Sequence, residues 1–165
     1  MNQRPIIKLK LTTFDYFLEA IGWGILILLT GFSIYCYNIF PEIIPVHYNG
    51  YGQVNRLGSK DAILILPIVT IILFIILTAI SQYPQNMNFP GEITEENAEA
   101  NYKAAARTFR FTRIVIALIF LMIVLKTHQT VLGYSNGLGK LFLPVVFIIT
   151  LVTILIFLVY STKKK

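Results

Sequence analysis

Two long stretches of the chain, residues 62–80 and 141–160, carry no charged residue. An α-helix rises about 1.5 Å per residue, so each stretch can cross the roughly 30 Å apolar core of a bilayer. Within that core every backbone polar group needs an internal partner, and helices supply one without a neighbouring strand. Composition agrees with this reading. Of the 165 residues 56% are hydrophobic and 13% are charged, whereas a soluble domain carries about 25% charge. The expected fold is all-α, a single membrane domain of four transmembrane helices with spans near 14–40, 61–81, 111–132 and 141–160.

Thr12 or Thr13 is placed to cap the first span, with Asp15 in its first turn facing the positive helix end. Asp15 and Glu19 are four residues apart and share a face. Ala20, Gly24 and Gly31 offer small residues for a close helix approach. Trp23 near one end, and Tyr35 and Tyr37 near the other, suit the two interfaces. No lipobox or A-x-A pattern follows this run, so it is expected to stay in place as a helix. Cys36 is the only cysteine, which leaves neither an internal disulfide nor a cysteine-rich metal site. Pro67 lies in the second turn of the second span and is expected to bend it.

A different kind of helix starts at Thr94. Glu95, Glu96 and Glu99 lie in its first turns, and Lys103, Arg107 and Arg110 follow on one face beside Tyr102, Ala106 and Phe109. Glu99 can pair with Lys103. This pattern reads as an amphipathic helix on the membrane surface that feeds the third span. It serves either as a solvated connection or as a docking site for a cytoplasmic partner. The apolar run 114–125 is too short to cross alone. Carrying it to Leu132 takes Lys126, Thr127, His128 and Gln129 into the span. Lys126 must then snorkel or find acceptors inside the bundle, with Asp61 or the His47–Asn49 segment the expected partner. A glycine-rich turn, 133–140, leads to the fourth span with Pro144 in its first turn, and Lys163, Lys164 and Lys165 end the chain.

Lys and Arg set the orientation. Arg4, Lys8, Lys10, Lys103, Arg107, Arg110, Arg113 and the terminal lysines, ten of the 14, fall on the side of the termini. Arg56, Lys60, Lys126 and Lys140 fall on the other. Both termini are therefore expected in the cytoplasm of a multi-pass plasma-membrane protein. The net charge of +6 belongs to helix ends, so nucleic acid is not an expected partner.

The stretch 37–60, YNIFPEIIPVHYNGYGQVNRLGSK, links the first two spans and is the densest in special residues. Pro41 and Pro45 restrict the backbone, and Gly50, Gly52 and Gly58 permit tight turns. With Ser59 they are read as the architecture of an ordered outer loop. Pro41, Ile44, Pro45, His47, Tyr48, Asn49, Gly52, Gly58, Ser59 and Lys60 follow the order of a segment in a bacterial membrane family with a domain of unknown function, also found in SdpI-type immunity proteins. Asp15, Tyr16, Leu18, Glu19 and Gly22, and the stretches 88–90 and 93–98, also resemble that family. Asn55 stands where the family has an acidic residue, and the second half of the SdpI proteins has no counterpart here. The resemblance implies a non-enzymatic protein without cofactor, with two associated roles: protection against a peptide toxin, and membrane sequestration of a cytoplasmic regulator.

On the outer side His47, Asn49, Lys60, Asp61, Lys126 and His128 are the candidate ligand-binding residues. His47 and His128 with Glu42 or Asp61 are the only route to a zinc site, without a spacing signature, and no metal is expected. Ser59 with His47 is the only route to a nucleophile and base. His47 and Asn49 serve equally as hydrogen-bond partners for loop backbone. No Walker or dinucleotide motif occurs. A transport or ion pathway around Lys126 and His128, and a metal-dependent membrane enzyme, are the alternative functions. On the inner side Asp15 and Glu19 are expected to pair with Arg110 or Arg113, Glu19 more so because Asp15 can also sit in solvent at the helix start.

Overall fold

The computed structural model describes residues 4–162, with backbone alone at 156, 157 and 159–162. The terminal lysines lie outside the described residues. In chain order the elements are α1 (Thr13–Ile39), β1 (Ile43–Tyr48), β2 (Val54–Ser59), α2 (Ala62–Ser81), a 3-10 turn (Pro84–Asn86), α3 (Glu95–Val131) and α4 (Phe142–Thr162). The chain is mostly helical. α1, α2 and α3 are each long and apolar enough to cross a membrane, and α4 is apolar over Phe142–Leu155.

Three sequence expectations need correction. The fold is not purely α: the linker between α1 and α2 is a two-stranded antiparallel hairpin, with Ile44 opposite Gly58 and His47 opposite Arg56. Its strands hold β-branched and aromatic residues that suit a pleated surface, and the ladder is irregular between Pro45 and Tyr48. Proline has no N–H to donate, so a bulge beside it disturbs the pairing least.

The second correction concerns the amphipathic segment. Glu95 to Val131 is a single helix of 37 residues, about 55 Å long at 1.5 Å per residue. No glycine or proline interrupts it. One buried face runs through Ala98, Tyr102, Ala105, Ala106, Arg110, Arg113, Ala117, Leu121, Val124 and Thr127. The segment therefore continues the span and packs in the bundle instead of lying apart from it.

Third, α1 makes its close approach at Gly22. A Cβ there would sit 3.3 Å from Phe74 Cζ and 3.5 Å from Ile114 Cγ1. Ala20, Gly24 and Gly31 lie on the exposed side. The inward stripe of α1 is Asp15, Leu18, Gly22, Leu26, Leu29, Ser33 and Cys36.

Both helix starts at the polar end are capped by threonine. Thr12 and Asp15 form a reciprocal capping box on α1, as do Thr94 and Asn97 on α3. α1 stops where Phe40, held extended, precedes Pro41, as the proline ring requires. α2 continues through Pro67, which is buried. The main core gathers Leu29, Cys36, Phe40, Ile44, Ile63, Leu121 and Val124 beneath the hairpin, and Leu26, Phe74 and Ala117 form a second cluster. α1 and α3 lie side by side and parallel, because pairs such as Asp15–Arg107 and Glu19–Arg110 advance together along both helices.

Candidate functional site

At one end of the bundle the hairpin forms an ordered cap. Ile44 is 1% exposed and anchors β1 in the core. The Tyr48 hydroxyl meets Thr127 Oγ1 of α3 at 2.7 Å. Burial raises the Tyr48 pKa, and the hydrogen bond to Thr127 works against that rise. Asn49 organises the turn: its Oδ1 accepts from the backbone N–H of Tyr51 at 2.9 Å and of Gln53 at 3.0 Å. Such a side chain mimics a backbone carbonyl in a tight turn.

The tip of the hairpin is joined to the α3–α4 connection. Leu138 N–H donates to Gly52 O at 2.7 Å, and Gln53 bridges to Gly137. Gly52 has φ +72°, and a Cβ there would collide with the Gly139 backbone. Here glycine is required twice, by the backbone angle and by the contact. Gly58 is needed for a milder reason, since its Cβ would press on Val46 Cγ2 at 3.0 Å. Nothing within 4 Å demands glycine at Gly50.

The six candidate ligand residues do not converge. His47 is exposed, and its Nδ1–H donates to Asn55 Oδ1 at 2.6 Å across the hairpin. Lys60 pairs with Glu42 at 2.8 Å and lies over the Tyr37 ring at 5.2 Å, closing the base of the hairpin. The hydrogen bond to Glu42 raises its pKa. Asp61 accepts from Ser59 Oγ at 2.9 Å. His128 sits among the rings of Phe32, Tyr35 and Phe40, with centroids at 5.4, 6.3 and 6.0 Å.

Lys126 does not meet Asp61 or the His47–Asn49 segment. Among the described residues its ammonium makes no hydrogen bond or ion pair. The reason is helical phase. Each residue turns the helix about 100°, and it is the next residue, Thr127, 1% exposed, that faces the cap. Among the described residues no three of His, Cys, Asp and Glu gather as metal ligands.

The opposite end holds a buried charge cluster between α1, α2 and α3. Glu19 Oε1 accepts from Arg110 Nε and Arg113 Nη2, each at 2.8 Å. Arg113 also donates through Nη1 to Thr78 Oγ1 and stacks over Phe74 at 5.0 Å. Its buried Nε has no acceptor among the described residues. Asp15 is neither solvated nor paired with Arg110 or Arg113. It is 3% exposed and accepts from Arg107 Nε at 2.8 Å, with Thr12 N and Oγ1 at 2.8 and 2.7 Å. Glu99 pairs with Lys103 as the four-residue spacing predicts, at 2.6 Å.

Thr78, which holds Arg113, was not singled out from sequence; Arg107, Tyr48, Asn55 and Thr127 were named there, but not as the partners of Asp15, Thr127, His47 and Tyr48 that they are. The available signal for Arg107 was arithmetic: Arg107, Arg110 and Arg113 recur every third residue, on a face that can match Asp15 and Glu19 of a parallel neighbour.

A family described as a domain of unknown function, DUF1648, matches residues 24–71. That stretch holds most of α1, the whole hairpin and the first half of α2. An uncharacterized protein of Archaeoglobus fulgidus is 35% identical over 83 residues, covering 42% of this chain. The chain matches 45% of that relative's length. No solved structure matches. The family match thus spans the segment where the cap is built.

Proposed function

We propose that the chain is a non-enzymatic, four-span plasma-membrane protein of the SdpI-like type, which senses a peptide on its outer face and relays the event to the cytoplasmic side. Its physiological role on this reading is toxin immunity or the holding of a cytoplasmic regulator. The observation that carries it is the connectivity of α3. One unbroken helix touches the cap through Thr127 and the charge cluster through Arg107, Arg110 and Arg113. On this reading a push on the hairpin is carried to the other end by one continuous helix, a packed element able to couple two sites.

The distribution of polarity supports sensing over transport. The buried middle of the spans is mostly apolar, with Leu26, Leu29, Phe74, Ala117 and Leu121, and the hydroxyls of Ser33 and Thr70 are its buried polar groups among the described residues. A transport path needs polar groups through the full depth.

Orientation is tested by replacing Cys36 with Ser and placing cysteine at Asn55. An impermeant thiol reagent added to intact cells labels this position on our reading; labelling only after lysis contradicts it. Immunity is tested by survival of a toxin-sensitive bacterium expressing the chain. Protection that disappears with Tyr48→Phe supports relay through the cap, and equal survival with and without the chain removes the immunity role.

A further inference from the structure

A groove of about 450 Å³ lies between the hairpin and the start of α2, lined by Val46, Arg56, Gly58, Ser59, Asp61, Ala62, Ile65 and Leu66. Its chemistry is divided. Arg56 supplies a cation that makes no hydrogen bond or ion pair among the described residues, and it is exposed. Asp61 supplies a carboxylate whose Oδ2 is engaged by Ser59, which leaves its Oδ1 for an outside donor. The remaining walls are aliphatic. Ile65 both lines the groove and is 56% exposed, on a helix apolar enough to span a membrane. The groove is therefore continuous with the lipid-facing side of α2 while its charged rim stands at the helix end, the level of headgroups.

We infer that this groove holds a phospholipid whose headgroup carries a phosphate and a primary ammonium, the phosphate on Arg56, the ammonium on Asp61 and an acyl chain along Ala62, Ile65 and Leu66. A guanidinium forks onto phosphate oxygens. A primary ammonium donates hydrogen bonds to a carboxylate, which a quaternary ammonium cannot do. An anionic headgroup without an ammonium would face Asp61 uncompensated. Gly58 leaves room in the groove wall, because a Cβ there would press on Val46 Cγ2 at 3.0 Å and both residues line the groove. The inference needs only a membrane-embedded chain and does not rest on the sensing role.

The test uses the full chain, delipidated in mild detergent and titrated with dioleoyl phosphatidylethanolamine, phosphatidylcholine or phosphatidylglycerol, with retention read by native mass spectrometry. The ethanolamine lipid should be favoured over the other two by roughly threefold to fivefold, the size of one exposed ion pair. Arg56→Ala should lower retention of all three lipids by a similar threefold to fivefold. Asp61→Asn should erase the preference for ethanolamine over choline while retention persists. Lys126→Ala, which removes an unpaired cation outside the groove, should change nothing, and Gly58→Ala should weaken retention without removing a charge. Circular dichroism confirms that each variant is folded. Equal retention of the three lipids by the unaltered chain, a preference for the glycerol lipid, or undiminished retention in Arg56→Ala overturns the inference. So does a delipidated dimer that Arg56→Ala dissociates, which would make the groove a subunit interface.

Discussion

The cap and the charge cluster solve the same problem by different means. Each is a polar assembly at one end of an apolar bundle. The cap uses neutral hydrogen bonds, glycine contacts and charges paired close in sequence, such as Lys60 with Glu42. The cluster uses ion pairs between α1 and α3, residues more than ninety positions apart. Water can reach His47, Asp61 and Arg56, so an imperfect partner there costs little. Asp15, Arg110 and Arg113 are buried, and a buried charge without its partner is expensive. Breaking the cluster should therefore endanger the whole bundle, whereas breaking the cap should loosen one end.

The largest effect is expected from Glu19→Ala, which strips Arg110 and Arg113 of their shared carboxylate. A loss of about 3–5 kcal/mol is the scale for breaking a buried pair, read as a lowered unfolding midpoint in a detergent titration. A midpoint within error of the unaltered protein would mean that water already reaches the cluster. Gly52→Ala comes next, at about 1–3 kcal/mol for forcing a side chain into a left-handed backbone. Proteolysis within the 133–140 turn should increase with it, because the hairpin tip can no longer sit on Gly139.

Tyr48→Phe removes the hydroxyl that meets Thr127 and leaves Thr127 Oγ1 buried, for about 1–2 kcal/mol. The same unfolding titration checks it, and hydrogen exchange should rise in β1 and spare residues 107–113. His47→Ala should cost least, below about 1 kcal/mol, since its bond to Asn55 is exposed. A loss as large as that of Glu19→Ala would show that the cap, rather than the cluster, dominates stability.

How much of this could be read in advance follows the same division. The apolar runs placed α1, α2 and α4, and Thr94 and the pair Thr12 or Thr13 placed two helix starts, because burial and capping are local signals. The pairing of Glu19 with Arg110 and Arg113 was also readable, since charges at a span boundary have few alternatives. The hairpin was not. Pro45, Gly50 and Gly52 are so dense that they hide the alternation from Ile43 to Tyr48, and strand pairing depends on a partner segment. Lys126 misled for another reason: chemistry named the residue, while helical phase gave the contact to its neighbour Thr127. Gly22 lost out to Gly24 and Gly31 in the same way, because spacing defines a face without saying which face meets another helix.

The central claim is that α3 is one straight element joining both ends. Nitroxide labels at the exposed positions Glu96 and Gln129, in a chain with Cys36→Ser, report its length by double electron–electron resonance. An uninterrupted helix places the two backbones about 50 Å apart, whereas an amphipathic segment folded onto the membrane surface near residue 111 would shorten the distance to about 35 Å. A single narrow distribution near the longer value is the expected result, and one centred near the shorter value would contradict the account.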